Sequence, residues 1–245
     1  MKIVVVKDYA QMSIKGAELI AETVKSNPEA VLGLATGSTP EGLYSELIRM
    51  HKEEGLDFSK ITTVNLDEYY GLSGDHPQSY RYFMNEKLFN HINIDKNNTY
   101  VPNGGAEDIQ EECENYDKNI EKLGGIDLQL LGIGGNGHIA FNEPEEELNF
   151  GTHLTDLTKD TIEANSRFFD SIDEVPKKAV TMGIGSIMKA KKIILLASGK
   201  GKAEAIKELT SGKITTDSPA TILQVHHDVT LFVDEDAASL INISK

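Results

Sequence analysis

The stretch I-D-L-Q-L-L-G-I-G-G-N-G-H-I-A-F-N-E-P, Ile126–Pro144, decides the fold. It begins as an apolar run short enough for a buried strand. It then breaks at Gly132, Gly134, Gly135 and Gly137 and delivers His138 and Glu143 just beyond. A strand that opens into a glycine loop lets backbone N–H groups approach a ligand closely. In open α/β sheets the carboxyl ends of strands are where ligands bind. Gly132, Gly134 and Gly137 also match the dinucleotide spacing G-x-G-x-x-G, but that fingerprint needs a helix starting at the loop. Here Asn142-Glu143-Pro144 reads as a turn instead. A structural histidine in a tight turn is the plainer alternative; Asn136 and Glu143 beside His138 argue for one that works.

Outward from this stretch, strands alternate with helices. Ile3–Val6, Val31–Ala35, Ile61–Leu66, Lys192–Ala197 and Val229–Val233 read as strands, with a short one at Thr99–Val101. Asp8 caps a helix to Ser26 whose apolar face carries Ile14, Ala17, Ile20, Ala21 and Val24. Further helices are expected from Pro40 to Glu54, over Ser79–Asn90, over Glu107–Lys122 and up to Leu209. The alternation predicts one α/β domain over residues 1–245, an open and mainly parallel sheet closed by Val229–Val233. The polar stretch 148–170 lacks apolar periodicity and is expected to be a flap over the site or a surface excursion.

Composition narrows the function. Net charge is −15, which argues against nucleic acid, whose phosphates need a basic face. An anionic small molecule is repelled only within about a Debye length, ~8 Å, so a few local cations suffice to hold it. No run reaches the ~18 apolar residues of a membrane helix, and the N-terminus reads as a first strand rather than a leader. The single cysteine, Cys113, excludes an intramolecular disulfide and makes a cytoplasmic location the expectation.

Four places carry candidate chemistry. Thr36-Gly37-Ser38-Thr39-Pro40 joins a strand to a helix, and its free N–H groups and hydroxyls suit a phosphate; a plain N-cap by Ser38 or Thr39 uses the same groups. Asp67 ends a buried strand, placed to take a proton from carbon or to cap a turn; Glu68 beside it is either a salt-bridge partner or solvated. Arg167 and Lys202 are candidate counter-charges, Lys202 at another strand-to-helix junction. His226-His227 lacks metal-ligand spacing, and no metal is expected.

Together, T-T-V-N-L-D-E-Y (62–69), L-L-G-I-G-G-N-G-H-I-A-F-N-E-P (130–144), A-N-S-R-F-F (164–169) and L-A-T-G-S-T-P upstream closely resemble the glucosamine-6-phosphate deaminase (isomerase) family, nearly end to end. The resemblance implies a modified Rossmann-type α/β sandwich with helices on both faces, amino-sugar catabolism, and conversion of glucosamine 6-phosphate and water to fructose 6-phosphate and ammonia without metal or organic cofactor. It gives Asp67 the role of proton acceptor at C2 and His138 that of ring opener, with Glu143 and Asn136 orienting His138. It puts the phosphate on Gly37, Ser38 and Thr39 beside Arg167 and Lys202, and makes 148–170 a lid. Some members carry Asp where this chain has Asn136; an amide orients but adds no charge. The stretch E-E-E-L-N-F-G-T-H-L-T-D lacks the basic residues of the allosteric members, and the chain stops at Lys245, so a non-allosteric monomer is expected. The rivals are a 6-phosphogluconolactonase-like hydrolase on the same scaffold and a non-catalytic sugar-phosphate-sensing domain, for which the chain shows no DNA-binding segment.

Overall fold

A computed structural model describes residues 1–166 and 169–242. The chain runs β1 (Lys2–Val6), α1 (Tyr9–Ser26), β2 (Val31–Leu34), α2 (Ser38–Glu54), β3 (Thr62–Asn65), β4 (Asp67–Tyr69), α3 (Tyr80–Lys87), β5 (Thr99–Tyr100), α4 (Ile109–Lys122) and β6 (Leu128–Leu131). It continues through β7 (His153–Asp156), α5 (Lys159–Ser166), β8 (Lys178–Thr181), α6 (Ile184–Met188), β9 (Ile193–Ala197), α7 (Ala203–Leu209) and β10 (Val229–Asp234).

Seven strands form one sheet in the order β1-β10-β9-β6-β2-β3-β5, every pairing parallel. β2, β6, β9 and β10 are buried at every position, as strands covered on both faces must be. The connections through α1 and α2 step toward the β5 edge, and those through α4 and α7 step back toward β1. Right-handed crossovers therefore lay α1 and α2 on one face and α4 and α7 on the other. The step direction reverses between β2 and β6, which opens a crevice at their carboxyl ends.

The expected last strand does not close the sheet. β10 lies between β1 and β9, and β1 is the edge, in register Lys2↔Thr230 to Val6↔Asp234. Asp8 caps α1 as expected, accepting from the Gln11 N–H at 2.9 Å. Ile14 is 40% exposed, because the buried stripe centres on Ser13, Gly16, Ala17 and Ile20 and leaves Ile14 at its rim. Small residues set that centre: a Cβ on Gly16 would meet Leu43 at 2.7 Å, and one on Gly42 would meet Ser13 Oγ at 2.4 Å, so α1 and α2 cross closely. The helix expected over Ser79–Asn90 ends at Lys87 and continues as a 3₁₀ turn, Phe89–His91.

A second, three-stranded antiparallel sheet, β4-β8-β7, was not expected. It takes in part of the polar stretch 148–170, whose β7 pairs with β8 from His153↔Thr181 to Asp156↔Lys178. Beside it Tyr69, Phe141, Leu157 and Ala179 form a small core apart from the main one, with Tyr80, Ile162 and Phe169 packed against it. Among the described residues no helix is long and apolar enough to cross a membrane. Cys113 is buried within α4, and burial pushes its thiol up to about 11.

Candidate active site

At the β2–β6 crevice lies a cleft of about 610 Å³, lined by the loop after β2, the loop after β6, Asp67, Tyr80, Phe141, Thr161 and Lys202. Asp67 and His138 open into this same space.

The loop after β2 turns at Gly37, which holds φ +93° and serves as the N-cap of α2 without a side-chain bond. Ser38 and Thr39 are the first helical residues, so neither is the cap that the sequence allowed. Pro40 follows within the first turn, where its missing N–H goes unneeded. The turn is held from outside the cleft. The Tyr9 hydroxyl donates to the Ser38 carbonyl at 3.0 Å and accepts the Gly42 N–H at 2.8 Å. The buried Tyr44 hydroxyl donates to the Ala35 carbonyl at 2.5 Å.

Asp67 stands where the two sheets meet. The N–H of Leu66 still bonds β2, at the Leu34 carbonyl, while its carbonyl accepts from Met182 beside β8. Asp67 then opens β4 opposite Thr181. It therefore begins a strand; it is neither a strand end nor a turn cap. Only 7% of its surface is exposed. Burial first, and the neighbouring Glu68 second, push its carboxyl up to about 8. Glu68 is also buried, so it is not solvated, and the partners of its carboxylate are backbone N–H groups. Its carboxylate accepts the N–H groups of Tyr69 at 2.8 Å, Tyr80 at 2.8 Å and Arg81 at 2.9 Å. It thereby caps α3, where two of the first N–H groups lack helical partners. Burial still raises its pKa against those three donors.

The loop after β6 is shaped around the imidazole. A Cβ on Gly134 would fall 2.4–2.6 Å from the His138 ring, so only glycine lets the ring lie there. Gly137 takes φ +82°, and a Cβ on it would meet Ser218 Oγ at 2.1 Å. Asn142 secures the far side, donating to the carbonyls of Ile139 at 3.0 Å and Met182 at 2.9 Å. Ala140, between them, holds φ +52°.

Glu143 is 4% exposed and gathers three donors. His138 Nδ1 lies 3.0 Å from Oε2, Asn136 Nδ2 donates to the same oxygen at 2.7 Å, and Thr161 Oγ1 donates to Oε1 at 2.7 Å. Burial alone would raise this carboxyl, but the bonds from His138, Thr161 and Asn136 outweigh it and hold it below the usual range. Asn136 thus acts on Glu143 and, through Oδ1, on the His138 backbone N–H at 3.2 Å. Its contacts with His138 thus run through the backbone N–H and through Glu143.

Lys202 lines the cleft from the turn after β9. Asp234, ending β10, accepts from the Gly199 N–H at 3.0 Å and the Ser198 hydroxyl at 2.6 Å and so fixes that turn. Arg167 lies outside the described residues. His226 is structural, its Nε2 2.7 Å from the Ala190 carbonyl. Among the described residues no group of three His, Cys, Asp or Glu is placed to hold a metal ion. Sequence reading missed Tyr80, Phe141 and Thr161 in the cleft wall. The one signal for Thr161 was the spacing Thr158-x-x-Thr161 at a helix start.

An open parallel sheet whose switch-point cleft joins a buried carboxyl, a histidine–glutamate pair and the glycine turn that opens α2 has the site layout of an α/β enzyme that acts on a small molecule. The comparisons with known proteins make this particular. Residues 8–232 match the family model described as glucosamine-6-phosphate isomerases/6-phosphogluconolactonase. The chain is 68% identical to a glucosamine-6-phosphate deaminase of Clostridium perfringens (strain 13 / Type A), over 98% of this chain and 100% of that one. It is 63% identical to a deaminase of Clostridium beijerinckii, with the same coverage. A solved structure of a monomeric glucosamine-6-phosphate deaminase superposes with TM-score 0.96 at 51% identity, covering 98% of this chain and all of that one. A 6-phosphogluconolactonase from Thermotoga maritima shares the fold, with TM-score 0.75 at 23% identity over 95% and 99% of the two chains. The chain belongs to the glucosamine-6-phosphate isomerase/6-phosphogluconolactonase family.

Proposed function

We propose that this chain converts glucosamine 6-phosphate and water to fructose 6-phosphate and ammonia, an aldose–ketose isomerisation coupled to deamination. The observation that carries the reading is that Asp67 and the His138–Glu143 pair share one cleft with the Gly37–Thr39 turn. The closed sugar has no acidic C–H, so two proton-transfer stations are needed. His138 takes the proton of the anomeric hydroxyl and gives it to the ring oxygen as the ring C–O bond breaks. Asp67 then removes the C2 proton; that electron pair forms the C1–C2 double bond as the aldehyde π pair moves onto O1, which takes up a proton, giving an enolamine. The C1–C2 π pair then takes up a proton at C1 while the nitrogen lone pair forms a C=N bond at C2. Water adds to C2 and ammonia departs, leaving the ketose. Each acid–base step contributes about 10²–10⁴-fold.

Burial makes Asp67 reluctant to ionise without a ligand. A protonated amine on C2 supplies the missing opposite charge and draws it toward the carboxylate that can act as a base. Gly37, Ser38 and Thr39 hold the phosphate, with Lys202 and, by its place in A-N-S-R-F-F, Arg167 as counter-charges. Segment 148–170 serves as the lid of a single domain. The chain works in the cytoplasm as a monomer on a small-molecule substrate; the 51%-identical relative of known structure is described as monomeric.

Purified protein given glucosamine 6-phosphate is expected to release ammonia and fructose 6-phosphate in equal amounts. Hydrolysis of 6-phosphogluconolactone without ammonia release, or binding of the amino sugar without turnover, rejects the reading.

A further inference from the structure

We propose that Thr161 is a positioning residue of the ring-opening pair: its hydroxyl, presented by α5, fixes the Glu143 carboxylate in the plane from which Glu143 orients His138. The inference rests on the roles read above for His138 and Glu143. A glutamate carboxylate turns about a broad, roughly two-fold torsion, so an anchor on one oxygen leaves its plane free. Here Oε2 carries the His138 and Asn136 contacts, at 3.0 and 2.7 Å. Among the described residues, Thr161 is the side chain that donates to Oε1, at 2.7 Å between buried groups. With both oxygens held, the Oε2 lone pair stays aimed at His138 Nδ1.

The Thr161 hydroxyl has one proton to give, and its surroundings direct it. The Thr158 hydroxyl donates to Thr161 Oγ1 at 3.0 Å, and Thr158 Oγ1 accepts the Thr161 N–H at 3.2 Å. Thr161 Oγ1 thus accepts from Thr158 and spends its own proton on Glu143, a chain in which each bond polarises the next. Thr161 reaches Glu143 from 18 positions along the chain, on an element packed through Ile162 against the small aromatic core. That core includes Phe141, two residues before Glu143.

The titratable groups facing Glu143 are His138 from its own loop and, around a small space on its other side, Glu145, Glu147 and His153 of β7. Losing the Thr161 donor concentrates charge on the carboxylate. That bond is one of those that hold the Glu143 carboxyl below its usual range, so without it the carboxyl titrates at higher pH.

The test compares T161V, T161S and I162A in the full chain. I162A loosens the packing of α5 and leaves the Glu143 hydrogen bonds in place. Two readouts are taken: the pH dependence of kcat/KM for ammonia release, and the carboxyl titration of Glu143 in carbon-labelled protein without ligand. T161V is expected to lower kcat about tenfold and to move the acid limb and the Glu143 carboxyl titration up by roughly 0.5–1 pH unit. T161S is expected to restore both; I162A is expected to leave the titration where it is. An unmoved titration in T161V, failure of T161S to rescue it, or an equal shift in I162A overturns the proposal. If T161V does not fold, T161A takes its place. The titration needs no turnover, so an inactive wild type defeats the proposed function without touching this result.

Discussion

Asp67 keeps a carboxyl in a buried site beside a second buried acid, and its proton is retained up to about pH 8. In the unfolded chain the same group ionises near 3.8. Between those values the unfolded state is charged and the folded state is not, so each rise in pH favours unfolding until the folded pKa is passed. D67N removes the penalty. It is expected to match the wild type in stability near pH 4 and to exceed it by roughly 2–5 kcal/mol at pH 8, about 5–10 °C in melting temperature. Melting curves across pH check this; a gap that does not widen with pH means Asp67 is not held neutral. The same variant should bind substrate yet lose C2 proton exchange with deuterated water. At Gly134 the conflict is steric. G134A puts a carbon 2.4–2.6 Å from the imidazole, and the ring must leave its seat. Loss of kcat by about 10²-fold with less than ~1 kcal/mol of destabilisation is expected, read by kinetics beside urea melts. Gly134 was legible because His138, four residues on, is its neighbour in space; Asp67 was legible only as a carboxylate after a buried strand, since its place is set by Thr181 and Met182. Glu68 was misread because two of its donors come from Tyr80 and Arg81, 12 and 13 residues on. Thr161 was missed for the same reason, its partner lying 18 residues back.

The turn between β2 and α2 is the element that the sequence marked for a phosphate, and two phenols hold it. They differ in burial, which separates their effects. Tyr44 is wholly buried, and Y44F leaves the Ala35 carbonyl without that donor. A loss of about 1–3 kcal/mol in stability is expected, together with a raised KM. Tyr9 is 36% exposed, and water can replace its hydroxyl at the Ser38 carbonyl. Y9F is expected to keep stability within about 0.5 kcal/mol. Its KM should still rise roughly threefold to tenfold at unchanged kcat, because the turn loses a restraint used equally in ground and transition states. Steady-state kinetics of both variants, with inorganic phosphate as competitor, decide the matter; a Y9F enzyme with normal KM clears Tyr9 of any part in holding the turn. Most of the parallel strands were legible as mainly apolar runs of four to six residues; β3 (Thr-Thr-Val-Asn) and the two-residue β5 are the exceptions. β4 and β7, with sequences Asp-Glu-Tyr and His-Leu-Thr-Asp, carry polar side chains at most positions and are only three and four residues long. Nothing in such runs alternates, and their pairing with β8 is settled by tertiary contact alone.

Across the whole molecule the two sheets divide the work of stability. The seven-stranded sheet carries the large core on both faces, and its central strands β6 and β9 have no exposed position. The small sheet and α5 rest on a cluster of four buried side chains with a few partly buried neighbours. Yet the cleft draws on both: His138 and the Gly37–Thr39 turn come from the large sheet's loops, while Asp67 opens β4 and Thr161 rides on α5. Opening free energies follow the apolar area that an element buries, so the smaller unit opens first. In native-state hydrogen exchange, amides of β6 and β9 are expected to exchange only through global unfolding. Those of α5 and β7 should exchange at least about 10²-fold faster, a gap of some 2.7 kcal/mol. Saturation with a sugar phosphate that touches both units should slow α5 and β7 far more than β6, since a ligand spanning them opposes their separation by RT ln(1 + [L]/Kd), about 2.7 kcal/mol at a hundredfold excess over Kd. Exchange rates measured with and without ligand test the division directly. Uniform protection of α5 and β6 in the free protein would show a single cooperative unit. Unequal protection that ligand leaves unchanged would show that the bound sugar phosphate does not reach across to α5.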